Sequence, residues 1–280
     1  MRALVLFILV STISGFGADA PPKFAPEFFV FENGVRFGPT EKQIEVLKGL
    51  GFDSLGSAKP HNLPGRIKLH QASGLRISSL YIGGKIGGGR DVKAINPAIP
   101  ESIRQLQGQD TIIELTVQRG PENTDAAAVA FVREVADLAK ESGLRVVLYP
   151  HAGFYVDTLS DAVRIARLSG RENVGAMFNL CHFLKVEPNA DLRKTLASAG
   201  DLLWRVSTCG ADTNGQNWGE LIQTLDRGSF DQVAFLKFLR EIGYSGDVGL
   251  QCYAIRGDPK NNLARSIAVW RKYLAACNQP

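Results

Sequence analysis

The sequence predicts an α/β protein built as a single (β/α)8 TIM barrel, and three observations carry that reading. Short apolar or β-branched runs alternate with longer segments of helical period about eight times, the pattern of a parallel sheet closed on itself. Once a leader is removed, about 260 residues remain, a normal length for one such barrel. The open doubly wound sheet is the competing architecture, and it normally has a Gly-rich phosphate turn after its first strand. Here Glu32-Asn33-Gly34-Val35 follows that strand and is no such turn.

The elements follow in order. Residues 1–20 carry one charge at Arg2, an apolar run from Ala3 to Val10, and a small-residue end at Ala18-Asp19-Ala20. This reads as a secretory signal peptide cut after Ala20, leaving residues 21–280 as the barrel domain. The apolar run is too short to span a bilayer, and no cysteine follows to take a lipid. The expected location is therefore secreted or periplasmic, with no membrane association after cleavage. Predicted strands run over 28–31, 53–56, 76–82, 111–118, 145–149, 173–178, 202–208 and 248–253. Helix starts are marked at Pro39-Thr40-Glu41, Pro100-Glu101, Asn123-Thr124-Asp125, Thr158 to Asp161, Pro188-Asn189 and Ser229 to Asp231. Glycines at 49, 51, 74, 143 and 243 supply the stops.

The formal charge of +4 is spread along the chain, and aromatics are not interleaved with arginines, which argues against nucleic acid and for a small solute. Oligomeric state is not readable. A domain of this length does not need disulfide staples, so the four cysteines are left unpaired or paired alike, Cys209–Cys252 being one geometry that neighbouring strands would permit.

In a barrel of this kind the chemistry sits at the C-terminal strand ends, which narrows the search to the windows after each strand. Three windows carry a family resemblance: Leu148-Tyr149-Pro150-His151-Ala152-Gly153, Phe178-Asn179-Leu180-Cys181-His182, and Gly243-Tyr244-Ser245-Gly246 leading to Gln251. Together with Arg227 to Asp231 before the last strand, they resemble the xylose isomerase-like TIM barrels, the sugar phosphate isomerases and epimerases with their related endonucleases. That resemblance implies a divalent metal held by Glu, Asp, His and Glu. This chain has Tyr149, Asn179, Ser207 and Gln251 at the matching positions, so no metal and no other cofactor is expected.

Asn and Gln keep the shape of the acids and add hydrogen-bond donors, which suits hydrogen bonding to the hydroxyls of a neutral or mildly acidic sugar. Candidate substrate-binding residues are thus Gln118, Tyr149, Asn179, Ser207, Gln251 and Tyr253. His151 and His182 match the family's histidines and are the candidate catalytic residues, being able to move protons near neutral pH. Glu114 alternates inward but lies early in its strand and is read as a buried acid paired with Arg145 or Arg205. Gly83 to Asp91 is read as a solvent loop, with Lys85 and Arg90 able to face an acidic sugar only as the lesser alternative. A soft zinc site from Cys181, His182, Cys209 and Cys252 is a further minor alternative. His61 and His70 are expected on the surface.

The resulting expectation is an exported sugar isomerase/epimerase-like barrel that binds a carbohydrate at its mouth without the family's metal. Two alternatives stand beside it: an active isomerase, epimerase or sugar lyase using the histidines, and a non-catalytic scaffold.

Overall fold

The computed structural model describes residues 23–279; the segment 1–20, read from sequence as a signal peptide, lies outside the described residues. Nine parallel strands form one sheet: β1 (Phe28–Phe31), β2 (Ser54–Gly56), β3 (Arg76–Ile77), β4 (Ser79–Lys85), β5 (Ile112–Gln118), β6 (Arg145–Leu148), β7 (Val174–Asn179), β8 (Leu203–Thr208) and β9 (Val248–Leu250). Their order is β3-β2-β1-β9-β8-β7-β6-β5-β4, and helices lie between successive strands except between β3 and β4. β3 pairs with β2 and β4 with β5, so the two are halves of one stave broken at Ser78. An Ala58↔Leu80 bridge joins the remaining edges and makes the eight-stave barrel.

The continuous strand expected over 76–82 is therefore corrected. Ser78 bonds both ways across the joint, its N–H to Leu55 O at 2.8 Å and its carbonyl to the N–H of Ile112 at 3.0 Å. One stave must serve two neighbours, and the break lets it turn between them.

Helix boundaries follow local chemistry. Thr158 caps Leu159–Ser169 in a capping box with Asp161, and Gly170 closes that helix at φ +62°. Thr124 caps Asp125–Glu141 and Asp231 caps Gln232–Glu241, as the side-chain pattern predicts. The start expected at Pro188 falls later, where Asp191 caps Leu192–Ala199, because its carboxylate accepts from the Lys194 N–H. A short helix, Leu180–Val186, follows β7 without a loop and was not expected.

Inside the barrel, large and small residues alternate. Phe29 fills the centre because Gly56 and Gly249 give it room: a Cβ on either glycine would come within 2.2 Å of its ring. Phe28, one residue earlier, points outward and stacks on Trp270 with centroids 4.0 Å apart.

Glu114 faces inward and is fully buried. It accepts hydrogen bonds from Ser57 Oγ and from Ser79 Oγ (2.7 Å), and Arg205 Nε lies 3.3 Å away. Arg205, not Arg145, is its partner. Arg145 lies outside the barrel over the Trp204 ring. Burial pushes the Glu114 carboxyl up, and the guanidinium and the two hydroxyls pull it back. His70 is not on the surface. It is 2 % exposed, and its Nδ1–H donates to Leu75 O at 2.7 Å to tie off the helix Leu63–Ser73.

Candidate functional site

At the C-terminal ends of the strands a cavity of about 500 Å3 opens into the barrel. A larger one, about 710 Å3, lies at the opposite end between strand starts. Size alone would favour the second. There, however, Arg76 pairs with Asp247 and Glu27 and Arg205 with Asp247, so the charges largely satisfy one another. Barrel chemistry belongs to the C-terminal face, so the smaller cavity is the candidate site.

Its floor is Tyr149. This residue follows β6, is 2 % exposed, and packs edge-on against Tyr81 with centroids 5.1 Å apart. The phenol oxygen accepts from Asn179 Nδ2 and, at 3.4 Å, from Gln251 Nε2. Both amides are held the right way round by other partners. Gln251 Oε1 accepts from Asn33 Nδ2 at 2.7 Å and from the N–H groups of Cys252 and Tyr253, both at 3.0 Å; Asn179 Oδ1 accepts from Cys181 Sγ at 3.2 Å.

This donor set does not fit a divalent cation. The two amides aim their nitrogens, which cannot ligate, at the centre. The phenol that fills the centre is pushed well above its ordinary pKa by burial and stays protonated. Among the described residues no three His, Cys, Asp or Glu side chains converge. The four cysteines are free thiols, with Cys209 donating to Leu221 O and Cys252 to Phe31 O, so the soft-ligand cluster is not assembled.

Above the floor stand His151 and His182, ring centroids 4.2 Å apart. The residue between their backbones fixes their tautomers. His151 Nδ1 faces the carbonyl of Ala152 at 3.1 Å and must donate to it, which leaves a lone pair on Nε2. His182 Nδ1 accepts the Ala152 N–H at 3.2 Å, so its proton is on Nε2. Burial lowers both pKa values, with His151 adding to the effect at His182, which is pushed down to about 3. The pair is thus neutral and complementary: one nitrogen to accept and one N–H to donate.

The rim is aromatic. Trp218 is 39 % exposed and sits edge-on to His182 at 5.4 Å, and Tyr253 is 55 % exposed on the β9 side. Of the residues singled out by sequence, Tyr149, His151, His182, Gln251 and Tyr253 line the cavity, and Gln118, Asn179 and Ser207 do not. Asn179 lies beneath Tyr149, Ser207 Oγ is fully buried without a partner, and Gln118 leans on Thr116. Lys85 and Arg90 are exposed away from the cavity. Asn33, Ser57, Lys59, Tyr81 and Trp218 were missed. Ser57 and Lys59 stand directly after β2, inside a window that strand-end reasoning already marks. Tyr81 pairs with Glu114 in register and so shares its inward face.

Fold and mouth together define a (β/α)8 barrel with a half-enclosed, aromatic-framed site that no carboxylate lines. The chain belongs to the xylose isomerase-like TIM barrel family, whose model matches residues 103–273. Among solved structures it is similar to 3-keto-D-glucoside 4-epimerase from E. coli, with a TM-score of 0.71 and 18 % identity over 89 % of this chain and 100 % of that one. An L-ribulose 3-epimerase gives 0.71 and 15 % over 90 % and 96 %, respectively. A family 2 AP endonuclease from Brucella melitensis gives 0.67 and 18 % over 86 % and 97 %. At these identities the likeness shows the shared barrel fold. Among curated proteins no sequence matches the chain.

Proposed function

We propose that the mouth binds one carbohydrate unit without a divalent metal, in a protein exported by its N-terminal segment. The observation that carries the reading is the frame of the cavity. Trp218 and Tyr253 offer exposed rings at the rim, and the wall supplies neutral donors and acceptors at His151, His182, Asn33 and Ser57. Sugars present apolar C–H faces between hydroxyls and suit aromatic walls with a few placed polar groups. The epimerases of similar fold support the same class of ligand.

The test is a thermal-shift panel of pentoses, hexoses and their acids, followed by titration calorimetry, because a ligand of the native state raises the melting temperature. Trp218→Ala should weaken binding about five- to tenfold, the loss of one stacking contact of ~1 kcal/mol. If no sugar raises the melting temperature, or the variant binds like wild type, the mouth is not a carbohydrate site.

The opposed tautomers favour a second reading beside the first, proton transfer on the bound sugar. His151 Nε2 would take the proton and His182 Nε2–H would hold the neighbouring oxygen. Incubation in D2O with the best-binding sugar should then exchange one C–H for deuterium, and His151→Gln should stop it. Binding without exchange would leave a recognition protein.

A further inference from the structure

We propose that the mouth selects anionic carbohydrates, sugar acids or sugar phosphates, and that Lys59 is the residue that does so. This rests on the carbohydrate reading of the mouth and goes beyond it by naming the ligand's charge.

No Asp or Glu is among the residues that line the cavity, and Lys59 is the one residue among them with a formal charge. The two histidines add no charge at neutral pH, since burial keeps them unprotonated. Among the described residues no acid reaches the Lys59 ammonium, whereas Lys42 and Lys194 each have one. A cation at the edge of a half-enclosed aromatic wall, with no acid beside it, retains its full attraction for an incoming anion.

The segment that carries Lys59 is built with unusual care. Ser57 adopts φ +48°, a left-handed conformation that non-glycine residues rarely take. It is fixed there by Ser79 Oγ accepting its N–H at 2.8 Å and by its own hydroxyl donating to Glu114. Ala58 is bonded both ways to the next stave. The Lys59 N–H donates to Glu32 Oε2 at 2.6 Å, and its carbonyl accepts from Arg66 Nη1 at 2.9 Å. Glu32 and Arg66 are themselves a buried ion pair at 2.9 Å, their side chains 9 % and 2 % exposed. Burying such a pair costs desolvation that an apolar pair would avoid, so it is weak evidence for stability. Here its free hydrogen-bonding capacity is spent on the peptide groups either side of one residue, which holds the root of the Lys59 side chain at the cavity edge.

The experiment compares D-glucose with D-glucuronate and D-glucose 6-phosphate, and D-galactose with D-galacturonate, on the mature chain by titration calorimetry. Variants are Lys59→Met, Lys59→Arg and Lys85→Met, the last removing a cation from outside the cavity. The wild type should bind at least one charged sugar about tenfold more tightly than its neutral partner, and the ratio should shrink with added salt. Lys59→Met should bring the ratio to about one, whatever it does to the affinity for the neutral sugar. Lys59→Arg and Lys85→Met should keep it. Preference for glucuronate over the phosphate, or the reverse, identifies which anion the mouth takes. Equal binding of charged and neutral sugars by the wild type, or an unchanged ratio in Lys59→Met, overturns the assignment and leaves the carbohydrate reading standing. If none of these sugars binds, both fall.

Discussion

Replacing Arg205 by methionine removes the countercharge of the fully buried Glu114 and leaves the chain length of the side chain in place. Only Ser57 and Ser79 then face the carboxylate. Breaking one side of a buried pair typically costs about 3–5 kcal/mol. The variant also loses the Arg205 bond to Ser78 Oγ at 3.1 Å and its stacking over the Phe29 ring at 3.9 Å, so the upper half of that range is expected. For a domain near this size 1 kcal/mol moves the melting temperature by about 2–4 °C, which gives a fall on the order of 10 °C. Burial already raises the Glu114 carboxyl, and loss of the guanidinium raises it further. A carboxyl raised in the folded state contributes stability below its unfolded pKa and loses it as pH rises through the folded value. The deficit should therefore grow between pH 5 and pH 8. Urea unfolding of wild type, Arg205→Met, Glu114→Gln and the double variant at both pH values measures it, with the double variant recovering more than 1 kcal/mol over the sum of the singles. A deficit under about 1 kcal/mol at pH 8, with additive singles, would show that water, not Arg205, solvates the acid.

Two further outcomes follow from the same geometry. His182, depressed to about 3 by burial, should cost the folded state stability as pH falls below the unfolded value near 6.5, by about 1.4 kcal/mol per pH unit at most; since burial also lowers His151 and His70, the slope in His182→Asn should be smaller by that one group's share and not absent, as read by denaturant unfolding at pH 4 to 7. Gly249→Ala would drive a methyl to 2.2 Å from the Phe29 ring and should destabilise by about 1–3 kcal/mol, part of which Phe29→Leu in the same chain should recover; a variant as stable as wild type would mean that the barrel centre is looser than its packing indicates.

Most of the barrel was legible because its strands and caps are written in local chemistry. β1 falls where its apolar run lies, and Thr124, Thr158 and Asp231 cap the helices they were expected to cap. The break at Ser78 was not legible, since it answers a demand of barrel closure between residues distant in sequence. The same distinction divides the candidate site. Tyr149, His151, His182 and Gln251 lie in windows with a recognisable phrase, and they reach the cavity. Asn179 carries an equally good phrase yet lies under the floor, because the phenol of Tyr149 is longer than the acid it stands for and covers it. No single-position comparison reveals that one substitution hides another.

The replaced shell therefore works as a unit. Tyr149 brings a bulky oxygen to the centre, and Asn179 and Gln251 turn donors toward it, so each change accommodates the other two. Carboxylates at both 179 and 251 would present two acceptors to the phenol, and a tyrosine hydroxyl has only one proton to share between them. The network is neutral and nearly saturated. That leaves the histidine pair, the rim aromatics and Lys59 as the groups at the mouth free to meet a ligand, and it moves the mouth's charge from the acidic centre of a metal site to a single cation at the edge. On the proposed carbohydrate reading, a sugar in this mouth would meet a phenol where a metal-binding shell would hold its oxygens, so its orientation would have to come from the walls. Of those walls, the imidazoles are fixed by hydrogen bonds to Ala152, and the two exposed rings at the rim supply the apolar faces against which the sugar would lie.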